Sequence, residues 1–431
     1  MVIVTMIERL QVSHLRNLEQ VDMQAAQCNA IIGVNGSGKT SLLESVFLLS
    51  RGKSFRHHQP KRYIQHHKQA TTVHARLADG STAAIQKQTD ATTILRLNQA
   101  TVYNQSILTE QLPTLLIDPS SMDMLEQGSA SRRQLLDWIV FHMKPGFHSQ
   151  WVAYQRLLKQ RNSLLKQANN LSSAQLNELK AWDKGFANHA ALIHHYRESV
   201  FIAWQPYFEA SIRQLLPNYA EQLSLTYNAG YDTSIALDMQ LHERLAQDLQ
   251  LGYTRIGSHR ADIHVHWRSN SLAKVDQLQN TVDKETSTNS NSDVYTDKVS
   301  KLPVIKEQAA NVLSRGEKKL LITALRLSQL PLLLNDANQV LSLDNVFKSS
   351  IDDISKRSEI TTQRQATPVV LLDDITAELD DKALDILLAT LSALPCQVFI
   401  TSLTEDVLPL ITKYWSNPNV FHMKQGRLII G

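Results

Sequence analysis

Residues 33–40 read Gly33-Val34-Asn35-Gly36-Ser37-Gly38-Lys39-Thr40, which satisfies the pattern G-x-x-x-x-G-K-[ST]. They follow the apolar run Ala30-Ile31-Ile32 and precede a stretch in which Leu42, Leu43, Val46, Phe47 and Leu49 recur at helical spacing. Strand, glycine-rich loop and helix thus come in the order a phosphate-binding P-loop requires, a context that an ordinary glycine-rich turn does not need. Glycines let backbone N–H groups close around phosphates at a helix N-terminus; Lys39 would neutralise the β- and γ-phosphates, and the Thr40 hydroxyl would ligate Mg²⁺. The expected nucleotide contacts are Gly33, Val34, Asn35, Gly36, Ser37, Gly38, Lys39, Thr40 and Ser41.

On either side of the loop the pattern changes character. Upstream, Ile7, Leu10, Val12, Val21 and Met23 mark short half-buried strands; downstream, residues 71–103 read as a meander in which Val73, Ala75 and Leu77 alternate ahead of an Asp79-Gly80 turn. From about Ser131 to Leu251 the periodicity is helical, with Trp151, Tyr154, Leu157, Leu158, Leu164 and Leu165 on one face. Residues 276–300 carry almost no apolar side chains and cannot bury enough surface to offset ordering entropy, and residues 344–367 form a second polar interruption. The expected division is 1–125 and 251–431 as the two parts of an ATPase head, 126–250 as a helical lobe, and 276–300 and 344–367 as disordered insertions. No internal repeat of fixed period is present.

A P-loop needs a distant carboxylate for Mg²⁺, and Pro368-Val369-Val370-Leu371-Leu372-Asp373-Asp374 supplies an apolar strand ending in two acids, a Walker B strand. Asp373 is expected to hold Mg²⁺, with Thr40, and Asp374 to act as general base or to orient water. Adjacent acids on a strand point to opposite faces, so their roles differ. Between the two motifs, Leu313-Ser314-Arg315-Gly316-Glu317-Lys318-Lys319 precedes a helix bearing Leu320, Leu321, Ala324, Leu325 and Leu327. It resembles the signature of ABC ATPases, in which Ser314 and the N–H groups of Gly316 and Glu317 would meet the γ-phosphate held by an opposite subunit. The same letters also form a plain capping box, Ser at the N-cap and Glu three residues on. After Walker B, Glu378-Leu379-Asp380 resembles the D-loop of that class. The strand Gln397 to Ile400 ends in Thr401-Ser402, Thr401 standing where a switch histidine is usual. Because one chain's signature does not easily reach its own P-loop, the set implies a head-to-tail sandwich and ATP-dependent dimerisation.

Composition narrows the remaining classes. With 44 basic and 41 acidic residues, any DNA-binding surface must be a local patch. Cys28 and Cys396 are too few for a disulfide framework, which fits a reducing compartment. The N-terminus lacks a basic stretch ahead of an apolar one, and no window approaches a membrane span, so the expectation is a cytoplasmic protein without membrane attachment. The doublets His57-His58, His66-His67 and His194-His195 lack a consistent ligand set for zinc.

Across nearly the whole chain, the segments together resemble the RecF family. His14-Leu15-Arg16-Asn17 looks like that family's N-terminal Phe-Arg-Asn strand, and Arg51-Gly52-Lys53-Ser54-Phe55-Arg56 like its basic loop. Gly128 to Asp137 with Arg132-Arg133 resembles its Gly-x-x-x-Arg-Arg stretch. Gln160-Arg161-Asn162-Ser163-Leu164-Leu165 looks like its helical arm, and Gly257-Ser258-His259-Arg260 like its Gly-Pro-His-Arg turn. Ala130, Ala261 and Ala377 depart from the residues usual in the family, Pro, Asp and Ser respectively. The resemblance implies an α/β fold of the ABC/SMC type, a Rad50-head-like P-loop ATPase head with an inserted helical lobe. It further implies ATP and Mg²⁺ as cofactors, with slow DNA-stimulated hydrolysis in which Lys39, Asp374, Ser314 and Thr401 take part. The partners it implies are gapped or single-strand–double-strand junction DNA, RecO and RecR, and functionally RecA, in recombinational repair, replication restart and the SOS response. Lys53, Arg56, Lys61 and Arg62 are the candidate phosphate-backbone contacts, because clustered cations neutralise phosphates regardless of sequence; the same charges also serve to solvate a loop. Arg132, Arg133 and Arg260 could reach ATP phosphates or cap helices. The competing readings are a transporter-type ABC ATPase and a DNA clamp in which ATP is a non-hydrolysed latch.

Overall fold

Four runs, Cys28–Ile32, Thr114–Ile117, Val369–Leu372 and Gln397–Ser402, are strands buried along their whole length, as befits strands covered on both faces. In the computed structural model they belong to one six-stranded sheet, in the order Arg427–Ile430, Asn419–Lys424, Cys28–Ile32, Gln397–Ser402, Val369–Leu372, Thr114–Ile117. All neighbours are parallel except the edge hairpin formed by the first two. The register pairs Ile32 with Ser402 and Leu372 with both Ile400 and Ile117, so the loops that follow these strands open at one edge. In an open α/β sheet this carboxyl edge is where ligands bind.

A second six-stranded sheet is antiparallel throughout: Leu18–Gln24, Ile7–Leu15, Ala70–Leu77, Thr82–Gln88, Thr93–Leu97, Ala100–Val102. Its inward residues Leu10, Val12, Val73, Ala75 and Ile85 are buried, following the alternation seen in the sequence. The helix Lys39–Arg51 packs against strands of both sheets, which explains why it is buried nearly all round. Gly52, at φ 67°, ends it in the left-handed region and donates its N–H to Leu48 O at 2.9 Å. On that helix Glu44 is fully buried, and a charge there must be paired. The Arg16 guanidinium and the Ser54 hydroxyl supply the partners.

The structure describes all residues except 1–3, 119–122, 127, 168–171, 269–305, 336–364 and 431. The polar stretch 276–300 and residues 344–364 therefore lie outside the described residues. Gln365–Ala366, at the end of the second polar stretch, pair in parallel with Val4–Thr5. Both sheets belong to the unit formed by Met1–Met122 and Ile322–Gly431; Asp123–Leu321 form a second unit. The latter takes in residues 251–321, which the sequence division groups with the head.

The second unit contains the helices Ser129–Met143, Phe147–Leu165 and Ser173–Leu215, the last of 43 residues and about 65 Å long at 1.5 Å per residue. A three-stranded antiparallel sheet, Leu223–Asn228, Asp262–Arg268 and Lys306–Gln308, accompanies them. The strand Leu223–Asn228 interrupts a stretch whose periodicity reads as helical; its alternating Leu223 and Leu225 are too few to register against the longer pattern. Segments that carry the family resemblance hold this unit together. Arg161 is buried and bonds Asp183 at 2.8 Å, Asp248 at 2.7 Å and the Thr254 hydroxyl at 2.7 Å. Arg197 grips Asp137 with two bonds of 2.8 and 2.9 Å and donates to Ser258 O. Arg132 forms the same two-pronged pair with Asp262, and Arg133 donates to Ser129 Oγ and Ala261 O, so both arginines of the doublet are committed inside the unit. Arg260 is exposed, its guanidinium 5.5 Å from the Tyr253 ring centre.

Candidate nucleotide site

The P-loop leaves the end of the strand Cys28–Ile32 and enters the helix Lys39–Arg51 through Gly38, at φ 118°, with no side chain capping the first N–H groups. An uncapped helix start at a sheet's carboxyl edge offers free donors and the positive end of the helix dipole to an anion. Three backbones crowd this loop. A Cβ at Gly33 would lie 2.5 Å from Met423 O, and one at Gly426 would lie 2.0 Å from Asn17 O. Gly426 also donates its N–H to Ser37 O at 2.7 Å. From the other side Asn17 donates from Nδ2 to Gly36 O at 3.0 Å and accepts the Ser41 hydroxyl at 3.1 Å. The loop is thereby fixed by the turn after Leu15 and by the C-terminal hairpin.

Lys39 is buried and donates to Gly33 O at 2.7 Å and Val34 O at 3.3 Å; its Nζ stands 3.8 Å from Asp374 Oδ1. The Thr40 hydroxyl donates to Asp373 Oδ1 at 3.0 Å. Burial pushes the Asp373 carboxyl above the usual carboxylate range, against the hydroxyls of Thr401 and Thr40, which favour the charged form. Asp374 lies at φ 46°, ψ 43°, left-handed for a residue with a Cβ. Among the described residues two atoms here are buried without a hydrogen bond: Ser37 Oγ and Asp374 Oδ1. Around them is a cleft of about 350 Å³, lined by the loop residues Asn35 to Ser41 together with Arg16, Asn17, Arg56 and Asp374.

The residues singled out in the sequence therefore separate into groups. Lys39, Thr40, Asp373, Asp374 and Thr401 converge, although they come from positions more than 330 residues apart. Ser314, Gly316 and Glu317 belong to the unit Asp123–Leu321 and do not line this cleft. There Ser314 N donates to Glu317 Oε2 at 2.7 Å and Glu317 N to Ser314 Oγ at 3.4 Å, a complete capping box, and Glu317 also accepts the Tyr219 hydroxyl at 2.6 Å. No side chain approaches the space a Cβ would take at Gly316. Of the four candidate phosphate-backbone contacts, Lys53, Lys61 and Arg62 are exposed and Arg56 lines the cleft. Arg16 and Asn17 also line it; their segment was singled out as a family mark, yet no spacing rule connects it to the P-loop. Among the described residues no group of three or more His, Cys, Asp or Glu could hold a metal ion by itself, and no helix is long and apolar enough to cross a membrane.

Comparison with known proteins places this geometry. Residues 6–426 match the family model described as the RecF/RecN/SMC N terminal domain. The chain is 35% identical over 396 residues to the DNA replication and repair protein RecF of Acinetobacter baumannii (strain SDF), covering 92% of this chain and 90% of that one. It is 35% identical over 403 residues to the same-named protein of Acinetobacter baylyi, covering 93% of each. Among solved structures, that of the recombination mediator protein RecF-ATP in the RecFOR pathway superposes with a TM-score of 0.74 at 19% identity, over 100% of this chain and 99% of that one. The Smc head domain of Pyrococcus furiosus, with an extended coiled coil and bound to the C-terminal domain of ScpA, gives 0.51 at 12% identity, over 99% and 96%. An ABC/SMC-type ATPase head fold, a P-loop gripped by two distant turns and this degree of likeness lead to one conclusion: the chain belongs to the RecF family of DNA replication and repair proteins, within the wider RecF/RecN/SMC group.

Proposed function

We propose that this chain is a cytoplasmic, ATP-dependent DNA-binding protein that dimerises around ATP, hydrolyses it slowly and holds gapped or junction DNA during recombinational repair and replication restart. The observation that carries the reading is the convergence of Lys39, Thr40 and Asp374 on one cleft at the carboxyl edge of a parallel sheet, with Asp373 directly behind Thr40. Free N–H groups at the start of the helix Lys39–Arg51 suit the phosphates. Lys39, held on the loop carbonyls, has its ammonium ready to move to a phosphate oxygen. Thr40 and Asp373 bring a hydroxyl and a carboxylate together, the hard oxygen donors Mg²⁺ takes, and their 3.0 Å bond fits them to share it. When bound, that ion would neutralise charge on the phosphates. Asp374, with Oδ1 buried and lacking a hydrogen bond, supplies the acceptor for a water proton.

Ser314, Gly316 and Glu317 are the surface we assign to the second subunit's γ-phosphate; Ser314 and Gly316 are exposed, consistent with a role completed only on dimerisation. Lys53, Lys61 and Arg62 are assigned to DNA phosphates, together with part of the lobe. In this reading the ATP-bound dimer on DNA assists the loading of RecA with RecO and RecR and so enters the SOS response. The test is phosphate release with and without gapped DNA, alongside a DNA mobility shift, for wild type, Lys39→Met and a Lys53→Glu/Arg62→Glu double variant. Turnover abolished by Lys39→Met, and DNA retention lost with a flatter salt dependence in the double variant, support the reading. Turnover no higher than in Asp374→Asn reduces ATP to a latch, and unchanged DNA binding in the double variant removes the assigned surface.

A further inference from the structure

Thr401 ends the strand Gln397–Ser402 where a phosphate-sensing side chain is expected, yet it is fully buried and does not line the cleft. Its one hydroxyl makes three contacts: 2.9 Å to Asp373 Oδ1, 2.8 Å from Asp374 N and 3.4 Å to Leu372 O. A hydroxyl has one proton and two lone pairs. Asp373 Oδ1 is the nearer acceptor and takes that proton, while a lone pair accepts the Asp374 N–H. The same Asp373 oxygen accepts the Thr40 hydroxyl at 3.0 Å, so it is held between the P-loop helix and the neighbouring strand. Asp374 needs such a tether, since its left-handed backbone is strained for a residue with a side chain. Released to an ordinary conformation, its carboxylate would leave the position 3.8 Å from Lys39 Nζ.

We infer that Thr401 is a positioning residue: its hydroxyl ties the side chain of the first Walker B acid to the backbone of the second, and it makes no contact with the nucleotide. This rests on the proposed ATPase reading and refines it, because the two acids can differ in role only if their relative placement is fixed.

The test uses the full chain as wild type, T401S, T401V and Lys39→Met, with steady-state phosphate release and the affinity for a fluorescent mant-ATP probe. T401V is expected to lower kcat about tenfold or more, as misplaced groups do, while KM and mant-ATP affinity stay within about threefold; T401S, which keeps the hydroxyl, recovers kcat to within about threefold. Equal kcat in T401V and wild type overturns the inference. So does a loss in T401S as large as in T401V, or a loss of mant-ATP affinity in proportion to kcat, which would indicate a phosphate contact. Wild-type turnover no higher than in Lys39→Met would defeat the ATPase reading instead. In that case hydrogen exchange of the peptide spanning Asp374 still decides: faster in T401V than in T401S supports the tether, and equal rates refute it. If T401V does not fold, T401A removes the same hydroxyl and replaces it in each comparison.

Discussion

In the lobe, Arg197 is fully buried and its guanidinium is committed, with two bonds to the Asp137 carboxylate and one to Ser258 O. At the P-loop, Ser37 Oγ and Asp374 Oδ1 are buried as well, and neither has a hydrogen bond among the described residues. Burying polar atoms is costly in both places, but for Arg197 the cost is offset inside its own unit, whereas for the two cleft atoms it is left open. Backbone conformation follows the same division. Asp374 holds a left-handed turn beside the cleft, while Arg161, Arg132 and Arg197 sit in regular helix and meet carboxylates directly. The family's marks sort accordingly: the paired arginines of the lobe maintain its fold, and the unpaired Ser37 and Asp374 atoms at the sheet edge are the ones the proposed nucleotide site would use. The lobe's pairing is not total: among the described residues one nitrogen of Arg161, Trp138 Nε1 and Gln222 Oε1 are also buried there without a hydrogen bond.

The largest effect should come from breaking a lobe pair. Asp137→Ala leaves Arg197 buried and uncompensated and should cost about 3–5 kcal/mol in urea unfolding, much of it recovered in an Asp137→Ala/Arg197→Met double variant. A cost below about 1 kcal/mol would dissolve the distinction between lobe and cleft. Acid should act next. Burial, with the nearby cations Arg260, Arg133 and Arg161, drives the His259 imidazole down to about 4, and its neutral ring bonds the Tyr154 hydroxyl at 2.7 Å and Thr254 O at 3.1 Å. The unfolded chain therefore takes up this proton before the folded one. Stability from His259 is complete above about pH 6.5 and is lost as pH falls toward 4, by at most about 3 kcal/mol. Replacing His259 with Gln should flatten that part of the stability profile, and a profile unchanged from wild type would exclude His259 as its source.

Smaller effects sharpen the cleft side. Gly426→Ala places a Cβ against Asn17 O and strains φ 78°; a cost of about 1–2 kcal/mol is expected, with ATP affinity reduced several-fold through the displaced Ser37 carbonyl. Equal ATP affinity in Gly426→Ala and wild type would show that the hairpin does not set the loop. Asp380, whose side chain caps the helix Asp381–Ser392 by accepting Ala383 N–H at 2.8 Å, should cost about 1 kcal/mol on replacement by Ala, with ATP affinity unmoved.

How much of this was readable beforehand depends on whether the partners lie close in sequence. The P-loop and the strand before Asp373 are local patterns, and their spacing and apolar runs declare them. The antiparallel meander of residues 70–102 is equally local, hairpin after hairpin. The grip of Asn17 and Gly426 on the P-loop is not, because a side-chain amide at position 17 and a backbone N–H at position 426 meet the loop at separations that no sequence spacing announces. Arg132 and Arg161 could be recognised as letters, but what they do depends on Asp262, Asp183 and Asp248, which only the fold brings to them. Ser314 and Glu317 mark the limit of sequence reading, since a complete capping box and an ABC signature use the same residues at the same spacing.

Light scattering of the purified chain with ATP, with ADP and without nucleotide, repeated for Lys39→Met and Ser314→Arg, decides whether ATP joins two copies through Ser314. A dimer is expected with ATP, not with ADP or without nucleotide, and it is lost in both variants. A mass that ignores nucleotide, or an ATP dimer that survives Ser314→Arg, would contradict it and leave Ser314 as a helix cap and nothing more.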